Sequence, residues 1–132
     1  MKKILVLLLL MVSTNVFAEW TRVGSSDAAG ITSYVDLGTI KKKKNKVKMW
    51  SLYDYDNKTV HEVAGKKYLS VMSRNEYDCE EETSRLLDFH YHSGNMRQGE
   101  AVLSDTNMKE EAQSVTPESM NEELFNIACD KK

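Results

Sequence analysis

The chain has two cysteines, Cys79 and Cys129, and their positions constrain the fold more than any other feature. Cys79 closes the run "KYLSVMSRNEYDC", in which Leu69, Val71, Tyr77 and Cys79 share a parity and would present one apolar face of a strand. Cys129 ends a stretch in which Met120, Leu124, Ile127 and Ala128 form an apolar stripe at helical spacing, flanked by Phe125 and Cys129. In an exported chain an even cysteine count argues for a bridge. Cys129 can reach Cys79 only if the helix covers the Leu69 to Cys79 face, so the bridge decides which side of a sheet is core. Closing a loop of about 50 residues contributes roughly 4 kcal/mol on chain-entropy reasoning.

Export is read from residues 1–18, "MKKILVLLLLMVSTNVFA". Lys2 and Lys3 precede an apolar run, and small residues at Val16 and Ala18 stand just before Glu19, the pattern of a secretory signal peptide. The run is too short and wrongly flanked to cross a membrane, and no second apolar run of about 20 residues follows, so no transmembrane span is expected. The Ala18–Glu19 junction has no cysteine for lipid attachment, which points to a periplasmic or secreted protein. Residues 19–132 suit one domain with a modest core.

From Glu19 to about Asp105 the pattern is that of strands. "EWTRVG" (19–24) and "GITSYVDL" (30–37) are parted by the turn-forming "SSDAA". "KVKMWSLYDYD" (46–56) alternates Val47, Met49, Tyr53 and Tyr55 against Lys46, Lys48 and Asp54, while Trp50 and Leu52 give its second face apolar cover as well. After a polar stretch from Asn57 to Lys67, the Cys79 run and "TSRLLDFHYHS" form two long strands about "EEE", and "GNMRQG" turns into "EAVLSD". Thr116 as N-cap, Pro117 at the first helical position and a Val115–Met120 staple predict where the helix starts. The expectation is an α+β fold: an antiparallel sheet of about six strands with a C-terminal amphipathic helix on one face and one disulfide.

The stretches "AEWTRVG", "YVDL", "VKMWSLYDYD", "KKYLSVMSRNEYDCEE", "RLLDFHYHSG" and "VTPESMNEELFNIAC" together resemble the surface-adhesin protein E-like family of Gram-negative bacteria over nearly all of residues 19–132. The resemblance implies a six-stranded antiparallel sheet with a C-terminal helix. It also implies a binding role toward host matrix and plasma proteins such as vitronectin, laminin and plasminogen. The matching stretches are scaffold, so no binding residue is carried over from the family.

Little in the chain suggests catalysis. Motifs for a serine nucleophile, a zinc protease or a phosphate-cradling loop are missing, so neither an enzyme nor a cofactor is expected. His90 and His92 share a strand face, with Asp88 beside them and His61 elsewhere, too few groups for an expected metal site. Trp50, Tyr53, Tyr55, Tyr77, Phe89 and Tyr91 could form a stacking platform, but core and cross-strand pairing explains their spacing equally. The net charge of −2 opposes nucleic acid as a partner.

Positive charge is concentrated at one place, Lys41, Lys42, Lys43, Lys44 and Lys46, with Lys48 just beyond. Two readings stand side by side. The run is either a solvated hairpin tip, with Asn45 taking the left-handed turn position, or a contact for a protein or anionic surface ligand. If successive strands pair as hairpins, this tip and the Glu80 to Glu82 tip lie at the same end of the sheet and partly cancel. The functional expectation is an exported non-enzymatic binding module. The alternative is a periplasmic envelope accessory or hydrolase inhibitor.

Overall fold

Along "KVKMWSLYDY" side chains alternate between two faces, and both faces find cover, so this strand sits inside the sheet rather than at its edge. The computed structural model describes residues 19–26 and 28–131; the signal peptide assigned to residues 1–18 lies outside them. The strands are β1 (Thr21–Ser26), β2 (Ile31–Lys43), β3 (Lys46–Tyr55), β4 (Glu62–Val63), β5 (Lys66–Lys67), β6 (Ser70–Asp78), β7 (Thr83–His92), β8 (Ala101–Asp105) and β9 (Gln113–Ser114), followed by helix α1 (Met120–Ala128). The main sheet is antiparallel in the order β1-β2-β3-β6-β7-β8, and β9 adds to the edge of β7. The six long strands and the helix are those expected. The short β4–β5 hairpin, within the stretch read as a polar connection, was not foreseen.

Helix α1 lies on the face carrying Val47, Met49 and Tyr77, and with Val35, Leu124, Phe125 and Ala128 these form the core. Tyr77, Met49 and Val35 are wholly buried, and Phe125, expected at the flank of the stripe, is 3 % exposed and part of the core. Gly24 of β1 passes beneath the helix, where a Cβ would stand 3.0 Å from the Glu123 carboxylate and 3.4 Å from Met120 Cε. The disulfide joins Cys79 and Cys129 with their Cα atoms 5.6 Å apart. Lys131 adds to this anchor, its ammonium donating to Cys79 O at 3.0 Å and lying 5.1 Å from the centre of the Phe125 ring.

The helix starts later than Thr116 and Pro117 suggest. Glu118 takes φ = 61°, which no helix can contain, and Ser119 becomes the N-cap, its hydroxyl accepting from Glu122 N at 3.2 Å. The Ser119-x-x-Glu122 spacing is that of a capping box, although the Glu122 carboxylate reaches Glu118 N rather than the cap residue's own N–H. Val115 therefore makes no staple; its N–H donates to Glu82 O at 3.0 Å and its side chain packs on the core. At the other end Asp130 is left-handed, and the bonds Lys131 N to Asn126 O and Asp130 N to Ile127 O close a Schellman motif.

Because the bridge joins the helix end to the sheet, removing it releases both. The Cys79→Ser, Cys129→Ser variant is expected to lose about 3–4 kcal/mol of stability in urea titration, and the wild-type protein to show no titratable thiol. A loss below about 1 kcal/mol would mean that helix packing alone holds the two together.

Candidate functional site

Residues directly opposite one another in a ladder share a face, so the register divides the sheet in two. Val47, Met49 and Tyr53 of β3 lie opposite Tyr77, Asn75 and Val71 of β6 on the helix side. Lys48, Trp50, Leu52 and Asp54 lie opposite Glu76, Arg74, Met72 and Ser70 on the other, and His90 and His92 of β7 belong to this second face. The helix-free face carries most of the chain's side-chain chemistry. Its core is small: Leu52 is fully buried and Met72 nearly so.

One end of this face is covered by the connection from β7 to β8, read from sequence as a plain turn. It folds back as a strap over β6 and β3. Asp54 accepts from Met96 N at 2.8 Å and from Asn95 Nδ2 at 3.1 Å, while Ser70 Oγ donates to Gly94 O and accepts from Arg97 N. Met96 and Arg97 are both left-handed, at φ = 51° and 64°, a conformation that costs each of them free energy and that the Asp54 and Ser70 bonds hold in place.

The other end carries the lysines. The register pairs Lys41 with Lys48, Lys42 with Val47 and Lys43 with Lys46. Since Val47 faces the helix, so does Lys42, whereas Lys41, Lys43, Lys46 and Lys48 line up on the helix-free face. Lys44 stands at the turn and takes the left-handed conformation, φ = 57°, that was expected of Asn45. Strand β1 pairs with β2 only from Ile31 to Val35, leaving the Lys41–Lys43 end as a sheet edge among the described residues. The acidic turn lies at the same end, as expected: Cys79 N donates to Asn45 O at 2.8 Å. Cancellation is limited, with Lys46 3.9 Å from Glu76 and Lys131 3.6 Å from Glu82.

Between the lysines and the strap lies a cleft of about 280 Å³ lined by Trp20, Asp36, Thr39, Trp50, Met72 and Arg97. The segment Leu37–Ile40 bulges out of β2 beside it, bridged back by Thr39 Oγ, which donates to Asp36 O and accepts from Trp50 N. The Arg74 guanidinium lies 5.6 Å from the Trp50 ring centre and His90 5.9 Å from it, steadying the indole. Lys48, Trp20 and Arg97 were not singled out as site residues. Lys48 could have been, because it shares parity with Lys46 and Trp50 on one strand.

His90 and His92 share a face with Asp88, but the carboxylate is engaged by Arg74. Asp88, their expected neighbour, is 4 % exposed and bonded at 2.5 Å to Arg74 Nε. His90 Nδ1 is 3.0 Å from Ser104 Oγ, and His61 stacks with Tyr55 and Tyr68 in a cluster that extends to Tyr91 and Phe89. No group of three or more metal-ligating side chains occurs among the described residues. Burial, with Tyr68 and Tyr91 nearby, pushes the Tyr55 phenol up to about 12, so it is neutral and not a base. Cys79 is held in the disulfide and is no thiol nucleophile.

These features define a class: an α+β protein in which the disulfide and the C-terminal helix make one sheet face scaffold and the other face carries exposed charge and the indole groups. Residues 20–130 match the family model described as Surface-adhesin protein E, and the chain belongs to that family. Among solved structures it is similar to protein E of Haemophilus influenzae, at 17 % identity with a TM-score of 0.58 over 89 % of this chain and 88 % of that one. A second crystal form of that protein gives 16 % identity and a TM-score of 0.56 over 86 % and 97 % of the two chains. Protein E from non-typeable Haemophilus influenzae gives 18 % and 0.52 over 87 % and 76 %. At these identities the likeness establishes a shared fold. No curated protein sequence matches the chain.

His92, beneath the strap, gives a test of this end of the face. Burial, then the neighbouring Arg97 and His90, lower its pKa from the ordinary 6.5, with the backbone of Gly99 opposing. The unfolded chain therefore protonates first, so the contribution to stability is complete above about pH 6.5 and is lost as the pH falls toward the folded value. A proton NMR titration should place His92 below 6.5, and His92→Gln should flatten the loss of stability on acidification; a value at or above 6.5 would contradict the packing of the strap.

Proposed function

We propose that this family member is an exported, non-enzymatic binding module that captures host matrix or plasma proteins, with Lys41, Lys42, Lys43, Lys44 and Lys46 as part of the contact. The observation that carries the reading is the lysine hairpin itself. It places six lysines within eight positions on a two-stranded ribbon, and among the described residues Lys46 is the one of them that lies within ion-pair distance of an acid. Family membership supports the adhesive class. Among the described residues no helix is long and apolar enough to cross a membrane.

Exposed lysine contacts are individually worth less than about 1 kcal/mol, so several must act together. Their field is screened within about 8 Å at physiological salt. Replacing Lys42, Lys43, Lys44 and Lys46 with serine is expected to leave Tm nearly unchanged while weakening binding to immobilised laminin and vitronectin and flattening its salt dependence. Equal binding by variant and wild type at low salt would make the run a solvated edge that discourages sheet pairing. Cell fractionation adds a second check: retention in the periplasm without surface exposure or release would favour an envelope accessory or a hydrolase inhibitor.

A further inference from the structure

Four lysines on one sheet face, continuous with a cleft that holds both tryptophans of the chain, have a more specific meaning than a charged hairpin tip. Lys41 and Lys48 are direct cross-strand neighbours, and so are Lys43 and Lys46. Like charges in that relation destabilise a ladder, and solvation of an edge would be served by any polar residue. Along β3 the row continues through Lys46, Lys48 and Trp50, all on one face, at about 7 Å per step. A partner following the strand therefore meets cations first and a half-buried indole about 14 Å further on. There the cleft adds Arg97, Asp36 and Thr39, a mixture of donors and acceptors beside the apolar faces of two indoles.

We propose that the helix-free face binds an acidic polysaccharide chain, with Lys41, Lys43, Lys46 and Lys48 meeting its sulfate or carboxylate groups and the Trp20–Trp50 cleft receiving a sugar ring. This rests on the reading of the protein as a binding module and names one ligand class for it. A sugar ring has what the cleft asks for: an apolar C–H face to lie on an indole and a rim of hydroxyls for Asp36, Thr39 and Arg97. A polynucleotide fits the cleft less well, because Asp36 there can accept from a sugar hydroxyl but would repel a phosphate.

The test compares two charge-matched variants of the exported protein, titrated with a heparin oligosaccharide by calorimetry and followed by tryptophan fluorescence. Lys41→Ser with Lys48→Ser removes two cations from the helix-free face; Lys42→Ser with Lys44→Ser removes two from the opposite face and the turn. The first pair should weaken binding about fivefold and the second less than about twofold, taking roughly half a kcal/mol for each exposed contact. Binding should also change the tryptophan emission, since both indoles line the cleft. Equal losses from the two pairs, an unchanged emission, or tighter binding of a single-stranded DNA oligonucleotide would each overturn the inference. Capture of laminin or vitronectin without any affinity for heparin would overturn it while leaving the broader reading intact.

Discussion

Everything in this molecule depends on the end of α1 being held against the turn after β6. The Cys79–Cys129 bond makes that attachment covalent, and Lys131 repeats it by hydrogen-bonding to Cys79 O. A nine-residue helix is too short to be stable alone in water, so its formation is inseparable from burying Leu124, Phe125 and Ala128 on Val47, Met49 and Tyr77. Docking the helix on that face makes it the core. It also leaves the other face of the same strands to carry Lys48, Trp50, Arg74 and the histidines. The division between scaffold and candidate binding surface is thus a consequence of one attachment and the two-residue period of β3 and β6.

The helix-free face is stabilised by different means. Leu52 and Met72 are shielded there, but the face is organised by polar bonds: Arg74 with Asp88, Arg85 with Glu76 at 3.0 Å, and Asp54 and Ser70 holding the strap. Such bonds hold the Arg74 and Arg85 side chains and the strap in place, and Arg74 steadies the Trp50 indole, without a second layer of helices. Groups already placed lose less conformational entropy on binding than flexible ones would. The strap also makes the two ends of the face unequal, with the lysines at one end and the partly buried imidazole of His92 at the other.

The architecture was legible in the sequence because the strands are regular where they matter. The shared parity of Val71, Tyr77 and Cys79, set against the helical stripe ending at Cys129, was enough to choose the covered face, and alternating hairpins placed the lysine and glutamate tips together. What was hidden lies wherever a residue breaks period. The Leu37–Ile40 bulge resets the alternation of β2, so Lys41 and Lys43, rather than Lys42 and Lys44, join Tyr34 and Asp36 on the helix-free face. Glu118, Met96 and Arg97 adopt left-handed conformations that non-glycine residues rarely signal, which moved the helix start and turned a plain loop into a strap. Leu87 sits at a bulge in β7, where its carbonyl accepts from Met108 N, a bond no local pattern announces.

The most direct test of the division into scaffold and surface is a map of amide and indole NMR shifts as a heparin oligosaccharide is added to the protein. Changes are expected at Lys41, Lys43, Lys48, Arg97 and the indoles of Trp20 and Trp50, with Tyr77, Leu124 and Phe125 unmoved. Changes centred on α1, or on the Tyr55, His61 and Tyr68 cluster of the helix side, would show that the surface has been assigned to the wrong face.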